Sequence, residues 1–190
     1  MRHPITVVAV AALTLFAACM PTNEQCVRLP NKGRYCLVAG RGPEFAAEQT
    51  STVSFRGKTL RLIARIASGR DSLHIASLSP LGQTLFQVSW ENSTLRAEMP
   101  SALDGQVDAA LFPALLQIAT WPAEHVRKGL SEGLELIEEP GRRVIRSGPD
   151  DVLVVSWEGN QLPYARLRIE APMQGLTIDS RTLEAVEMDQ

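Results

Sequence analysis

The chain has 190 residues, 45% of them hydrophobic, with 19 Lys and Arg against 21 Asp and Glu and a formal net charge of −2. This weak acidic bias with no basic block excludes the electrostatic footprint of a nucleic-acid binder. The length suits one domain with a real core, and no internal repeat or low-complexity tract divides it.

Residues 1–19 read MRHPITVVAVAALTLFAAC. Arg2 charges the start, and Ile5–Ala18 is an uncharged run of 14 residues. A membrane-spanning helix needs about 20 apolar residues, so the run predicts a secretory signal over residues 1–18. Ala17-Ala18-Cys19 resembles the end of a bacterial lipobox, although Phe16 stands where that signal usually has Leu. The expectation is cleavage before Cys19 and a diacylglycerol anchor on its sulfur. The alternative is an ordinary signal cut nearby, with Cys19 incidental. Each buried acyl methylene contributes about 0.8 kcal/mol, so two or three chains tether a soluble domain firmly. Met20, not Asp, follows the cysteine. By resemblance to sorting rules in enteric-type bacteria, this favours the periplasmic face of the outer membrane. No cofactor beyond the acyl anchor is expected.

Cys26 and Cys36 remain, and an oxidising periplasm would pair them around the turn Pro30-Asn31-Lys32-Gly33. A metal site is the rival reading, but no third or fourth ligand stands close. Residues 19–49 thus form anchor, tether and disulfide-linked segment, and residues 50–190 form the folded domain.

From about Thr50 the chain becomes a succession of strands. Thr52–Arg56, Thr59–Ala67, Ser72–Leu78, Thr84–Trp90 and Thr94–Met99 are separated by Gly-Lys, Gly-Arg-Asp, Pro-Leu-Gly and Glu-Asn-Ser. That is the turn chemistry of consecutive antiparallel strands. Leu60, Leu62, Ala64 and Ile66 share one face, opposite Arg61 and Arg65. Leu85, Val88 and Trp90 break strict alternation, which predicts a bulge. Asp108–Thr120 is apolar on more than one face and predicts an enclosed helix, kinked or restarted at Pro113. A second helix starts at Pro122, carries Glu124 at its positive end and Arg127 and Lys128 at its negative end, and stops at Gly129. Strands resume over Leu134–Glu138, Arg143–Arg146, Val152–Trp157, Ala165–Ala171 and Leu176–Asp179.

The predicted class is α+β, mostly β: a curled antiparallel sheet, an unclosed half-barrel of about ten to eleven strands, with short helices over its concave face. Such a sheet encloses an elongated apolar space, either core or ligand cavity.

Chemistry-bearing constellations are sparse. His74 and His125 have no His-x-x-x-His or carboxylate partner that would make a zinc site, so no metal is expected. Asp71, Ser72 and His74 read as a turn followed by a strand, and no Gly-x-Ser-x-Gly elbow occurs. Glu138-Glu139 reads as an exposed strand end. No enzyme activity is expected. Trp90, Trp121 and Trp157 read first as packing residues; Trp121, beside Pro122, could also contact a ligand or mark the level of a bilayer.

Ser79-Pro80-Leu81-Gly82, followed by Gln83-Thr84-Leu85, resembles the loop of the outer-membrane receptor of the lipoprotein-localisation system, LolB. The order of elements over Thr50 to Thr182 is also similar to that of the LolA/LolB carrier and receptor superfamily. The whole chain resembles still more an uncharacterised family of small proteobacterial outer-membrane lipoproteins. It shares Leu29-Pro30, Gly33-Arg34-Tyr35-Cys36 and Trp121-Pro122 with them, and their genes often accompany clusters for aryl-polyene lipids. The resemblance implies an apolar interior that takes acyl chains under a helical lid, and a bilayer-inserting leucine at Leu81. On that basis Leu111, Phe112, Leu115, Leu116, Ile118 and Trp121 are the expected lid. Leu62, Ile66, Leu85 and Val88 are the expected walls. The expected function is transfer or insertion of lipid, a polyene lipid included, or of lipoprotein, with a periplasmic carrier as partner and the chain as a monomer. The alternative is a scaffold lipoprotein with a filled core, acting through its surface.

Overall fold

The computed structural model describes residues 25–40, 42–100 and 107–186. The expected signal and the lipidation site Cys19 lie outside them. The strands are β1 (Cys26–Arg28), β2 (Arg34–Cys36), β3 (Phe45–Phe55), β4 (Lys58–Gly69), β5 (Ser72–Leu78), β6 (Thr84–Glu91), β7 (Thr94–Glu98), β8 (Leu134–Glu139), β9 (Arg142–Ser147), β10 (Asp150–Glu158), β11 (Arg166–Ala171) and β12 (Leu176–Val186). Two helices, α1 (Leu111–Thr120) and α2 (Ala123–Gly129), fall between β7 and β8.

Ten strands form one antiparallel sheet in the order β7-β6-β5-β4-β3-β12-β11-β10-β9-β8, while β1 and β2 pair separately. The outer strands β7 and β8 are not paired to each other, so the sheet curls without closing. This is the expected half-barrel class. Alternation sets its inner face. Phe45, Ala47, Gln49 and Ser51 are buried along β3, as are Leu62, Ala64 and Ser68 along β4, while Arg61 and Arg65 point to water.

β3 starts at Phe45, earlier than Thr52, and runs the length of β12, from Leu176↔Phe55 to Val186↔Ala46. The expected boundary at residue 50 therefore falls inside a strand. The segment before it is more than a tether. Val27, Leu29 and Tyr35 belong to the main core, and Tyr35 bridges to Leu130. The expected Cys26–Cys36 disulfide is formed, with an S–S distance of 2.02 Å. Asn31 and Lys32 both take positive φ, 56° and 63°, as a tight two-residue hairpin turn requires.

α1 begins three residues after Asp108, so Pro113 falls in its first turn and no kink follows. The N–H that proline lacks would have no partner there anyway. Asp108 accepts the Ala110 N–H at 3.0 Å ahead of the helix. The helix is enclosed as its composition requires, with Pro113 to Thr120 all buried. α2 follows Pro122 directly, with Glu124 in its first turn and Arg127 and Lys128 in its last. Gly129 is needed for close approach rather than for a left-handed cap: a Cβ there would meet the Tyr35 ring at 2.6 Å. In β6 the bulge is real. Ser77 pairs with Phe86 and Leu78 with Thr84, which leaves Leu85 as the extra residue. Beyond it Phe86, Val88 and Trp90 alternate inward without a break.

Candidate functional site

Element lengths decide where the concave face is covered. β3 has 11 residues, or about 36 Å of strand. α1 has 10 residues, or about 15 Å of helix. One short helix covers less than half of such a strand, so the two ends of the sheet differ.

At the end reached by the C-terminus of α1 the space is filled. Trp90 and Trp121 are each 1% exposed and meet edge to face at 6.0 Å. Gln117 is fully buried, yet its amide is satisfied. It accepts from the Tyr35 hydroxyl at 2.9 Å and the Val38 N–H at 3.0 Å, and donates to the Val38 carbonyl at 3.1 Å. Burial pushes the Tyr35 hydroxyl well above its ordinary range, against the opposing pull of the Arg143 charge. Arg143 is itself buried. It donates to the Ile118 and Trp121 carbonyls at 2.6 and 2.9 Å and pairs with Glu138. A cation on the last carbonyls of a helix satisfies both their hydrogen bonds and the negative end of the dipole. Glu138 is exposed near the end of β8, as expected, and is also the counter-ion of this clamp.

At the other end the described residues leave the concave face open. An inner hollow of about 100 Å³ lies between Leu62, Ile66, Phe112, Leu115, Leu116 and the serines of β3, β5 and β12. It continues into an outer hollow of about 320 Å³ beside Phe55, Leu111 and Leu176. Val53, Phe112, Leu115 and Ile178 line both. Phe112 stacks on Phe86 with centroids 4.4 Å apart. The outer volume alone falls in the range of small-molecule sites, about 300–1,000 Å³.

The rim of the outer hollow is largely apolar, with Arg56 and Asp108 as its charged residues. Among the described residues the exposed large hydrophobics are Phe55, Leu60, Leu81, Met173 and Leu183. The first four lie at this end: on the β3–β4 hairpin, in the β5–β6 loop and on the turn between β11 and β12. Phe55 and Leu60 continue the inward-facing rows of β3 and β4 past the reach of α1. Leu81 is 89% exposed, at a turn where the Gly82 N–H donates to the Ser79 carbonyl at 2.8 Å. Arg56, Lys58 and Arg61 stand exposed beside them.

Of the expected walls and lid, Leu62, Ile66, Leu111, Phe112, Leu115 and Leu116 line the hollows. Ile118 and Trp121 sit in the packed end, Val88 is buried between Phe86 and Trp90 on the inner face, and Leu85 occupies the bulge. The serine lining was not anticipated. Its one sequence signal is that Gln49, Ser51 and Val53 share the β3 face of Phe45 and Ala47.

A larger trough of about 660 Å³ crosses the outer face of β3 to β7, walled by Glu48, Arg65, His74, Arg96 and Glu98. Its walls are charged and partly paired, Arg65 to Glu48 at 2.8 Å and His74 to Glu91 at 2.9 Å. It is the solvated side of a twisted sheet. Across β11 and β12 the outer face carries an ion network. Arg166 and Arg168 hold the Asp179 carboxyl below the usual range, chiefly by the Arg166 hydrogen bond, and Arg168 does the same to Glu170. Among the described residues no group of three His, Cys, Asp or Glu could hold a metal, and no helix is long and apolar enough to cross a membrane.

Fold and hollow together define an open antiparallel sheet with an apolar cleft under a short helix. The chain belongs to a family of proteins of unknown function, DUF3261, whose model matches residues 46–184. The match spans β3 almost to the end of β12 and leaves the disulfide hairpin outside it. No curated protein matches the chain.

Proposed function

We propose that this protein is a lipid-anchored periplasmic lipoprotein that takes acyl chains into the cleft under α1 and passes lipid or lipoprotein cargo to the outer membrane. The observation that carries this reading is the coincidence of two features at one end. The apolar hollow opens where Phe55, Leu60, Leu81 and Met173 emerge beside Arg56, Lys58 and Arg61. Uncharged side chains there cost little to insert into a bilayer interface, and basic ones favour anionic headgroups. Held mouth-down, the cleft would receive a chain without exposing it to water. Transfer needs no covalent chemistry, only more apolar burial in the receiving site than in the donor. The anchor on Cys19, the outer-membrane address, a periplasmic carrier as partner and a monomeric state are parts of the same reading. So is a polyene lipid as one cargo.

The test is native mass spectrometry and organic extraction of the mature chain with Cys19 replaced by Ser, purified from the periplasm without detergent. A lipid near one per chain is expected, and Leu116→Trp or Ala64→Phe, which fill the inner hollow, should remove it from folded protein. Leu81→Glu should keep lipid binding and reduce delivery to vesicles. A lipid-free mass with no uptake of a fluorescent fatty acid would put the scaffold reading first.

A further inference from the structure

The inner hollow is not lined like a plain hydrocarbon sleeve. Cross-strand registers order the inner face in rows, counted from the mouth. The rows Leu176–Phe55 and Ile178–Val53–Leu60 are apolar. The next row begins with Ser180–Ser51 and the one after runs Thr182–Gln49–Ala64–Ser77. Ser51, Ser180 and Gln49 are 4–5% exposed and Ser77 is fully buried. Ser51 and Ser180 share a hydrogen bond at 2.8 Å, and Gln49 donates to Thr182 at 3.1 Å. Ser77 is among the residues around the hollow, and its hydroxyl is buried with no partner among the described residues. A buried polar group without a partner is costly, and an apolar residue of similar size at that position would avoid the cost.

We propose that the cleft recognises an amphiphile by an uncharged hydrogen-bonding group at the end that goes in first, with Ser77 as its partner. This rests on the acyl-binding reading above and names the class of ligand that site prefers. No charged side chain lines the inner hollow, so a leading carboxylate or amine would be desolvated without compensation. A hydroxyl meets the Ser77 hydroxyl as donor or acceptor, while Ser51 and Ser180 line the same hollow two and three strands away. The trailing end of the ligand then stays at the mouth, where Arg56 and Asp108 both border the outer hollow and a trailing carboxylate pairs with the Arg56 cation. A site built to hydrogen-bond a hydroxyl discriminates against the analogue that lacks it.

The probes are hexadecanoate and 16-hydroxyhexadecanoate, competing with a fluorescent fatty acid for the mature Cys19→Ser chain. The hydroxy acid should displace the probe at about five- to tenfold lower concentration, the size expected when one buried group gains a partner. In Ser77→Ala this advantage should vanish while hexadecanoate is unaffected. Ser77→Cys keeps the volume with a weaker donor and covers the case in which the alanine variant does not fold. Equal displacement by the two acids, or an advantage that survives both variants, would overturn the polar-end assignment and leave acyl binding standing. No binding of the probe or of either acid would overturn both.

Discussion

The two ends of the concave face are made of the same strands and the same alternation, yet one is packed solid and the other is open. At the packed end the inward positions are Trp90, Leu73 and Phe45, and α1 meets them with Ile118 and with Trp121 just past its C-terminus. At the open end the corresponding positions are Ser51, Ala64 and Ser180, and the first part of α1 faces them with Phe112, Leu115 and Leu116 without filling the space between. Filling requires both large side chains and an element to carry them. Withholding either from one end leaves a cavity that costs the rest of the fold little, because the stability sits elsewhere.

Substitutions can break that contrast. The largest effect is expected for Trp121→Ala, about 3–5 kcal/mol in denaturant unfolding, whereas Phe55→Ser and Leu60→Ser should stay within about 0.5 kcal/mol while weakening binding to anionic vesicles. Comparable losses at both ends would mean that the open end is part of the core. Next comes the hairpin that closes the packed end from outside. Replacing Cys26 and Cys36 together by Ser should cost about 2–4 kcal/mol, read as a lower unfolding midpoint. Gln117→Leu is expected to cost about 1–3 kcal/mol, since it strands the Tyr35 hydroxyl and the Val38 N–H. Its hydrogen-exchange signature should be faster exchange at Val38. The smallest effect lies on the outer face. Asp179 and Glu170 have native pKa values held below the ordinary carboxylate range. Their contribution is therefore present above that range and lost as pH falls through the native values. Asp179→Asn should flatten the fall of Tm below about pH 4 and change little at neutral pH, where exposed pairs are worth little.

Much of the fold is legible in the sequence because local rules carry it. Gly-Lys, Pro-Leu-Gly, Glu-Asn-Ser and Pro-Gly mark hairpins that the structure makes, and the all-round apolar character of Leu111–Thr120 marks an enclosed helix. Strand ends that alternate with charges are harder to see: Arg181 and Glu184 conceal the last part of β12, and Glu48 the first part of β3. Pro113 misled because a proline's effect depends on its distance from the helix start, which the pattern did not fix. The cleft is legible in part. Leucines on the lid were readable, but the serines opposite them require knowing that β12 lies against β3. That adjacency joins positions 129 residues apart at Ser51 and Ser180, and no local signal reports it. Arg143 and Gln117 were missed for the same reason, as their partners lie 22 and 82 residues away.

The adjacency of β3 and β12 also sets the order in which this molecule can be completed. The seam at the middle of the sheet joins the first long strand to the last. A chain that is delivered N-terminus first can assemble β3 to β7 by successive hairpins, but β3 then waits through both helices and β8 to β11 before β12 arrives. Contacts of such sequence separation are slow to form. During that interval β3 is an unpaired edge with an apolar face beside it, the exposure that invites pairing with other chains. The step most vulnerable to capture by a chaperone or by aggregation is therefore the last strand insertion, and a chain ending before Leu176 would leave two half-sheets with no seam to join them.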